Sequence, residues 1–224
     1  MSKRNVFVVG YAPAYAHMYV CNGWNVVAKM ADADIVQFIG GADVNPELYG
    51  EKMHPLTSPS SNSDERDLLA YEQAQKLGLY CVGICRGGQF LNVMSGGKMY
   101  QHVDKHAGSS GHQLTDLGTG ETLKVSSTHH QMMLPGPDAK LIGVADEGTY
   151  REVVDEQGHP ITLFRRAEEE DDIEVLYYEK TKCLCFQPHP ELFSKDHECQ
   201  VYFFSLLERF CTKTEEKDHI VSAC

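Results

Sequence analysis

The chain has 224 residues, 42% of them hydrophobic, which is enough for one domain with a complete core. Its 32 acidic against 20 basic residues leave a net charge of −12 with no run of Lys or Arg, which argues against a nucleic-acid surface. No stretch approaches the ~18 apolar residues of a membrane span, so a cytoplasmic protein with no membrane partner is expected.

Val6 to Gly10 is a short β-branched and aromatic run closed by glycine, the pattern of a first parallel strand. Ala14 to Cys21 reads as a helix stopped by Asn22-Gly23. Asn25 to Ala28 and Asp34 to Phe38 read as strands, the second leading into Gly40 and Gly41. Residues 51–63, rich in Pro, Ser and Asn, form a loop in which His54-Pro55 is a turn. A helix capped by Ser63 or Asp64 then runs to about Leu77, with Ala70, Tyr71, Ala74 and Leu77 inward and Glu65, Glu72 and Gln75 outward. Arg66 and Asp67, near its start, are expected to be structural.

Leu79 to Asn92 is the most informative stretch. An apolar run ends at Gly83-Ile84-Cys85-Arg86-Gly87-Gly88-Gln89, the pattern of a strand, a sharp turn and a helix start. Small neighbours on both sides suit a side chain held in strained backbone geometry, so Cys85 reads as the nucleophile of an elbow with its sulfur exposed. A helix N-terminus favours thiolate over thiol there. The competing reading is a structural cysteine ending a core strand.

Gly96-Gly97 stops the elbow helix and Lys98 to Gln101 starts a strand. Asp104 to Gly120 is polar and glycine-rich and is expected to be a mobile loop over the site. His102, His106 and His112 lie in or beside it, yet no carboxylate or cysteine completes a recognisable ligand spacing, so no metal is expected. Thr122 to Val125 is a strand that brings Ser127-Thr128-His129-His130-Gln131 to its end, either as polar contacts or as a helix start. Val153-Val154, a turn at 155–158 beside His159-Pro160, and Ile161 to Phe164 form a hairpin. The acidic run 168–172 should stay solvated. Ile173 to Tyr178 and Cys183 to Gln187 are strands, and Cys199, Phe203, Leu206, Leu207 and Phe210 mark a last amphipathic helix. The domain is assigned to residues 1–211, and the polar residues 212–224 to a fraying tail. Most of the eight cysteines fall inside apolar patterns, as reduced thiols do, and no disulfide is expected.

A cysteine nucleophile needs a base and a group that orients it. The last apolar strand runs into Pro188-His189-Pro190-Glu191. In an open parallel sheet the carboxyl ends of strands share one edge, where Cys85 and His189 can meet.

Gly83-Ile84-Cys85-Arg86-Gly87-Gly88-Gln89 together with Gln187-Pro188-His189-Pro190-Glu191 resembles the signature of class I glutamine amidotransferases. Phe38 to Gly50, Arg66-Asp67, Asn92 to Gln101 and Ser127 to Gln131 resemble the γ-glutamyl hydrolase branch, which includes γ-glutamyl-γ-aminobutyrate hydrolase. Ile39 departs from the branch, which usually has proline there. The resemblance implies a three-layer α/β/α sandwich whose mostly parallel sheet carries added antiparallel strands, and the βα alternation agrees. It implies Cys85, His189 and Glu191 as catalytic residues, and Gly40 or Gly41 with the N–H of Arg86 as an oxyanion hole. Substrate contacts carried over are Gln89, His130 and Gln131. The expected reaction is hydrolysis of a small-molecule γ-glutamyl amide without a cofactor. Two other readings stay open, a glutaminase subunit feeding ammonia to a separate synthetase and a catalytically silent binding module, as does a homodimer.

Overall fold

Short apolar runs become the central strands, and alternate residues of each run face opposite helical layers. The computed structural model describes residues 4–164 and 171–212. Its elements in chain order are β1 (Asn5–Val8), α1 (Pro13–Cys21), β2 (Asn25–Val26), β3 (Ile35–Phe38), α2 (Ser61–Lys76), β4 (Tyr80–Ile84), α3 (Arg86–Met94), β5 (Lys98–Tyr100) and β6 (His102–Val103). Then come β7 (Ala107–Asp116), β8 (Thr122–Thr128), β9 (Met132–Leu134), β10 (Lys140–Ala145), β11 (Tyr150–Val154), β12 (Pro160–Phe164), β13 (Asp172–Tyr178), β14 (Cys183–Phe186) and α4 (Glu198–Phe210).

The main sheet has the order β2-β1-β3-β4-β14-β13-β10-β7-β8. Its first five strands pair in parallel and the rest antiparallel, so the α/β/α expectation holds. On one face Ile35, Val82, Ile84, Leu184 and Phe186 pack with residues of α1 and α4 such as Tyr19, Phe203 and Leu207. On the other, Val36, Phe38, Cys81, Cys183 and Cys185 pack with Ala70 and Ala74 of α2 and Phe90 and Leu91 of α3. Each strand buries both faces, which is why these runs read as continuous rather than alternating hydrophobicity. The hairpin β11–β12 forms as expected around residues 155–158 and adds β6 at its side.

Several expectations need correction. Helix α2 starts at Ser61, and Leu77 lies past its end with 45% exposure, because Gly78 turns the chain at φ 67°. Residues 104–120 are not a loop over the site: β7 occupies ten of them and is paired on both sides. Its polar residues are tolerated inside because His112, and His106 directly before the strand, face carboxylates from β13. Asp172, at the end of the acidic run expected to be solvated, is buried against Arg151 at 3.0 Å, and its carboxylate accepts the Gly148 N–H at 2.7 Å. Residues 168–170 and 213–224 lie outside the described residues. The seven described cysteines are free. Among the described residues no helix is long and apolar enough to cross a membrane.

Candidate active site

Cys85 stands between the end of β4 and the first residue of α3 with φ 51° and ψ −117°. This is the strained, positive-φ conformation expected of an elbow. The flanking glycines are required by close approach. A Cβ on Gly83 would sit 2.3 Å from the Gly87 carbonyl, and one on Gly87 would sit 2.4 Å from Phe38 O. The sulfur is less open than expected, since Cys85 is 8% exposed.

Strand β14 runs parallel to β4, with Phe186 opposite Ile84, so the residues that follow both strands emerge at one edge. His189 is there, close enough to Cys85 for the sulfur to act on its imidazole, and its Nδ1 lies 2.6 Å from Glu191 Oε1. Its backbone N–H donates to Ser126 Oγ at 2.7 Å. Burial alone would lower the imidazole, but the Cys85 sulfur and the Glu191 carboxylate outweigh it and raise His189 to about 10. The arrangement therefore favours a protonated His189 imidazole at neutral pH.

The third wall is the segment after β3. Gly40 lies against the His189 ring, where a Cβ would come within 2.8 Å of Cε1. Its N–H is donated to Tyr15 Oη at 2.9 Å. Gly40 therefore admits the ring and is not a free oxyanion donor, which leaves Gly41 of the expected pair. In the sequence Tyr15 reads only as a helix residue. Its hydroxyl couples α1 to the Gly40 loop and to the charge of Glu191, and burial with that charge pushes the phenol far above its ordinary range. No local pattern marks it; only packing of α1 against the loop brings it in.

Arg86 opens α3 with its side chain 1% exposed and ion-paired to Asp64 and Asp67 of α2. Asp67 also receives Arg66 Nε at 2.8 Å. The Arg66-Asp67 pair is structural, as expected, but it is buried at Asp67 and holds the elbow helix by its first residue.

Gln89 and Gln131 turn inward, contrary to their expected contact with substrate. Gln89 Nε2 donates to Gln131 O and Gln187 Oε1, both at 3.2 Å. Gln131 Nε2 donates to Thr57 Oγ1 at 3.0 Å and Gln101 O at 3.2 Å. The Gln89 amide thus ties α3 to the residue before Pro188 and His189, and the Gln131 amide ties its own segment to Thr57 and Gln101. His130 stays half-buried on the Gly40 loop, its Nε2 3.1 Å from Asp43 Oδ1, and this hydrogen bond raises its imidazole. Beside Ser126 a cavity of about 400 Å³ opens between Gly108, Gly111, Ser126, Thr128, Leu192 and Phe193. His54, expected as a turn residue, is buried with Nε2 3.1 Å from Glu152 Oε2, while His159 is an exposed turn residue bonded to Asp155.

Residues 22–191 match the family model described as Peptidase C26. A candidate glutamine amidotransferase of Mycobacterium tuberculosis is 30% identical over 142 residues, covering 55% of this chain and 46% of that protein. A glutamine amidotransferase-like protein of Lactococcus lactis is 26% identical over 159 residues, covering 62% and 67%. The match thus spans less than half the length of the mycobacterial relative. Among solved structures, PurLQS from Thermotoga maritima superposes with TM-score 0.64 at 16% identity, covering 94% of this chain and all of that one. A candidate GMP synthase subunit from Thermoplasma acidophilum gives 0.61 at 14% identity, covering 94% and 95%. At these identities the two structures speak for the fold alone.

Proposed function

Because the chain belongs to the Peptidase C26 family, of the class I glutamine amidotransferase-like type, we propose that it hydrolyses the γ-amide bond of a small γ-glutamyl compound through a thioester on Cys85. The observation that carries this reading is the positive-φ Cys85 at the same sheet edge as a His189 that Glu191 holds.

In the proposed reaction the Cys85 thiolate attacks the amide carbonyl carbon, and the N–H groups of Gly41 and Arg86 receive the oxyanion. The His189 imidazolium gives its proton to the leaving nitrogen as the C–N bond breaks, leaving a γ-glutamyl thioester and a free amine. Neutral His189 then takes a proton from water, the hydroxide adds to the thioester carbon, and collapse releases glutamate and the thiolate. Glu191 keeps His189 oriented with Nε2 toward the sulfur and stabilises its cation. The Arg86–Asp64–Asp67 network fixes the helix end that offers the Arg86 N–H. We assign the glutamyl side to His130 and Asp43 and the leaving amine to the cavity beside Ser126.

The second reading, a glutaminase subunit that hands ammonia to a synthetase, draws on the two solved neighbours, which are described as a PurLQS structure and a GMP synthase subunit. A panel of glutamine and γ-glutamyl amides incubated with the pure chain separates them. Glutamate release with kcat in the ordinary range of about 1–10³ s⁻¹ supports the hydrolase. Inactivity on the whole panel, relieved only by an added synthetase and its nucleotide, supports the ammonia-delivering reading.

A further inference from the structure

We propose that His106, His112, His129 and Glu174 form a closed site for one divalent transition-metal ion, with zinc the ion that their donor set matches best. The proposal is independent of the reaction assigned to Cys85.

His106 directly precedes β7, His112 lies within it, His129 directly follows β8 and Glu174 lies in β13, and all are at most 4% exposed. Their donor atoms converge on one oxygen. His106 Nδ1, His112 Nε2 and His129 Nε2 lie 3.5, 3.3 and 3.5 Å from Glu174 Oε1. Ordinary N–H···O bonds are shorter, about 2.7–3.2 Å. With metal–ligand bonds of about 2.0–2.2 Å, the edge of a tetrahedron is roughly 3.3–3.6 Å, which these three N···O separations match; the donor atoms of His106, His129 and Glu174 also lie within 4.8 Å of one another, whereas His112 meets the group through Glu174 and would close on the ion by a small ring movement.

One remaining nitrogen fixes a tautomer. His129 Nδ1 is 2.9 Å from Gln131 O, a carbonyl that can only accept, so the hydrogen is on Nδ1 and the Nε2 lone pair points at the carboxylate. His106 Nε2 is 3.1 Å from Asp172 Oδ2, an ion-pair contact without an aligned hydrogen bond, and a metal on Nδ1 would place the ring hydrogen on the Nε2 that faces this carboxylate. A carboxylate or carbonyl behind the imidazole is the arrangement that holds metal-bound histidines. Among the described residues both nitrogens of His106 and of His112, His129 Nε2 and both Glu174 oxygens have no hydrogen-bond partner. Acceptors facing acceptors in a dry interior need a cation between them. Four protein donors with no open position make a structural site, and imidazole with carboxylate suits zinc.

Such an ion would staple three strands behind the catalytic edge. The Gln187 N–H donates to Glu174 O at 2.8 Å, two residues before His189, and the His129 N–H donates to His106 O at 2.8 Å.

The test is metal analysis of the full chain purified without chelator, followed by extraction and reloading with Zn²⁺ or Co²⁺. About one ion per chain, a Tm that falls on extraction and returns with Zn²⁺, and a visible Co²⁺ spectrum of four-coordinate nitrogen and oxygen ligation are expected. Glu174→Gln should lower retained metal at least about tenfold. His17→Ala, which removes the surface His17–Cys21 pair at 3.4 Å, should retain it. If Glu174→Gln does not fold, the wild-type Co²⁺ spectrum decides. Less than about a tenth of an ion per chain after refolding with Zn²⁺, an unchanged Tm, or a six-coordinate or thiolate Co²⁺ spectrum would overturn the proposal, and the cluster would then share protons instead.

Discussion

Cys85 is held at φ 51° by the Gly83–Gly87 contact, a conformation that costs about 1–3 kcal/mol and persists only where packing imposes it. Its neighbours define what each residue should do. Cys85→Ala should abolish glutamate release while leaving the circular dichroism spectrum unchanged, and a glutamine-mimicking electrophile should label Cys85. Cys21 is the exposed control thiol, whereas Cys185, Cys199 and Cys211 are buried and their thiols are pushed up by burial. A label on any of these by peptide mapping would contradict the elbow assignment.

His189→Ala should reduce kcat by on the order of 10³-fold or more. Glu191→Gln should cost less and should also move the alkaline limb of kcat/KM to lower pH. The competent imidazolium exists below the His189 pKa and is lost as pH rises through it, and Glu191 is one of the groups that raise that pKa. A pH profile identical to wild type would argue against this role. Tyr15→Phe removes the acceptor of the Gly40 N–H, and a buried donor left unpaired costs about 1–3 kcal/mol. Turnover is expected to fall with it.

At the level of elements, the joint between α2 and α3 is a buried ion-pair network with Arg86 at its centre. Removing one partner of such a network typically costs about 3–5 kcal/mol, so Asp67→Asn should lower the urea midpoint strongly and kcat as well, because Arg86 opens the helix beside Cys85. An unchanged midpoint would mean that the network is solvated in solution. The elements are unequally legible in the sequence. The elbow is a local device, with glycines, cysteine and strand contiguous, so spacing alone reveals it. The parallel core strands are legible because both of their faces are apolar. Strand β7 is not: its glycines and histidines read as a loop, and what makes it a strand is pairing with β8 and β10 and carboxylates from a segment some sixty residues later. Asp172 escapes a local reading in the same way, since Arg151 comes from another hairpin. The inward direction of Gln89 depends on Gln131 O and Gln187, and that of Gln131 on Thr57 and Gln101, none of them a sequence neighbour.

For the molecule as a whole, the sheet order places the ends of β3, β4 and β14 side by side and thereby gathers the Gly40 loop, Cys85 and His189 from three distant segments. The antiparallel extension β13-β10-β7-β8 supplies the Ser126 hydroxyl that holds the His189 backbone and the cavity beside it. The most direct test of this account is mass spectrometry of the intact chain quenched during turnover of a γ-glutamyl amide. A mass gain of one glutamyl group, mapped to the peptide carrying Cys85 and absent in Cys85→Ser, is the predicted result. Measurable glutamate release with no adduct on Cys85, or with equal release by Cys85→Ser, would contradict it.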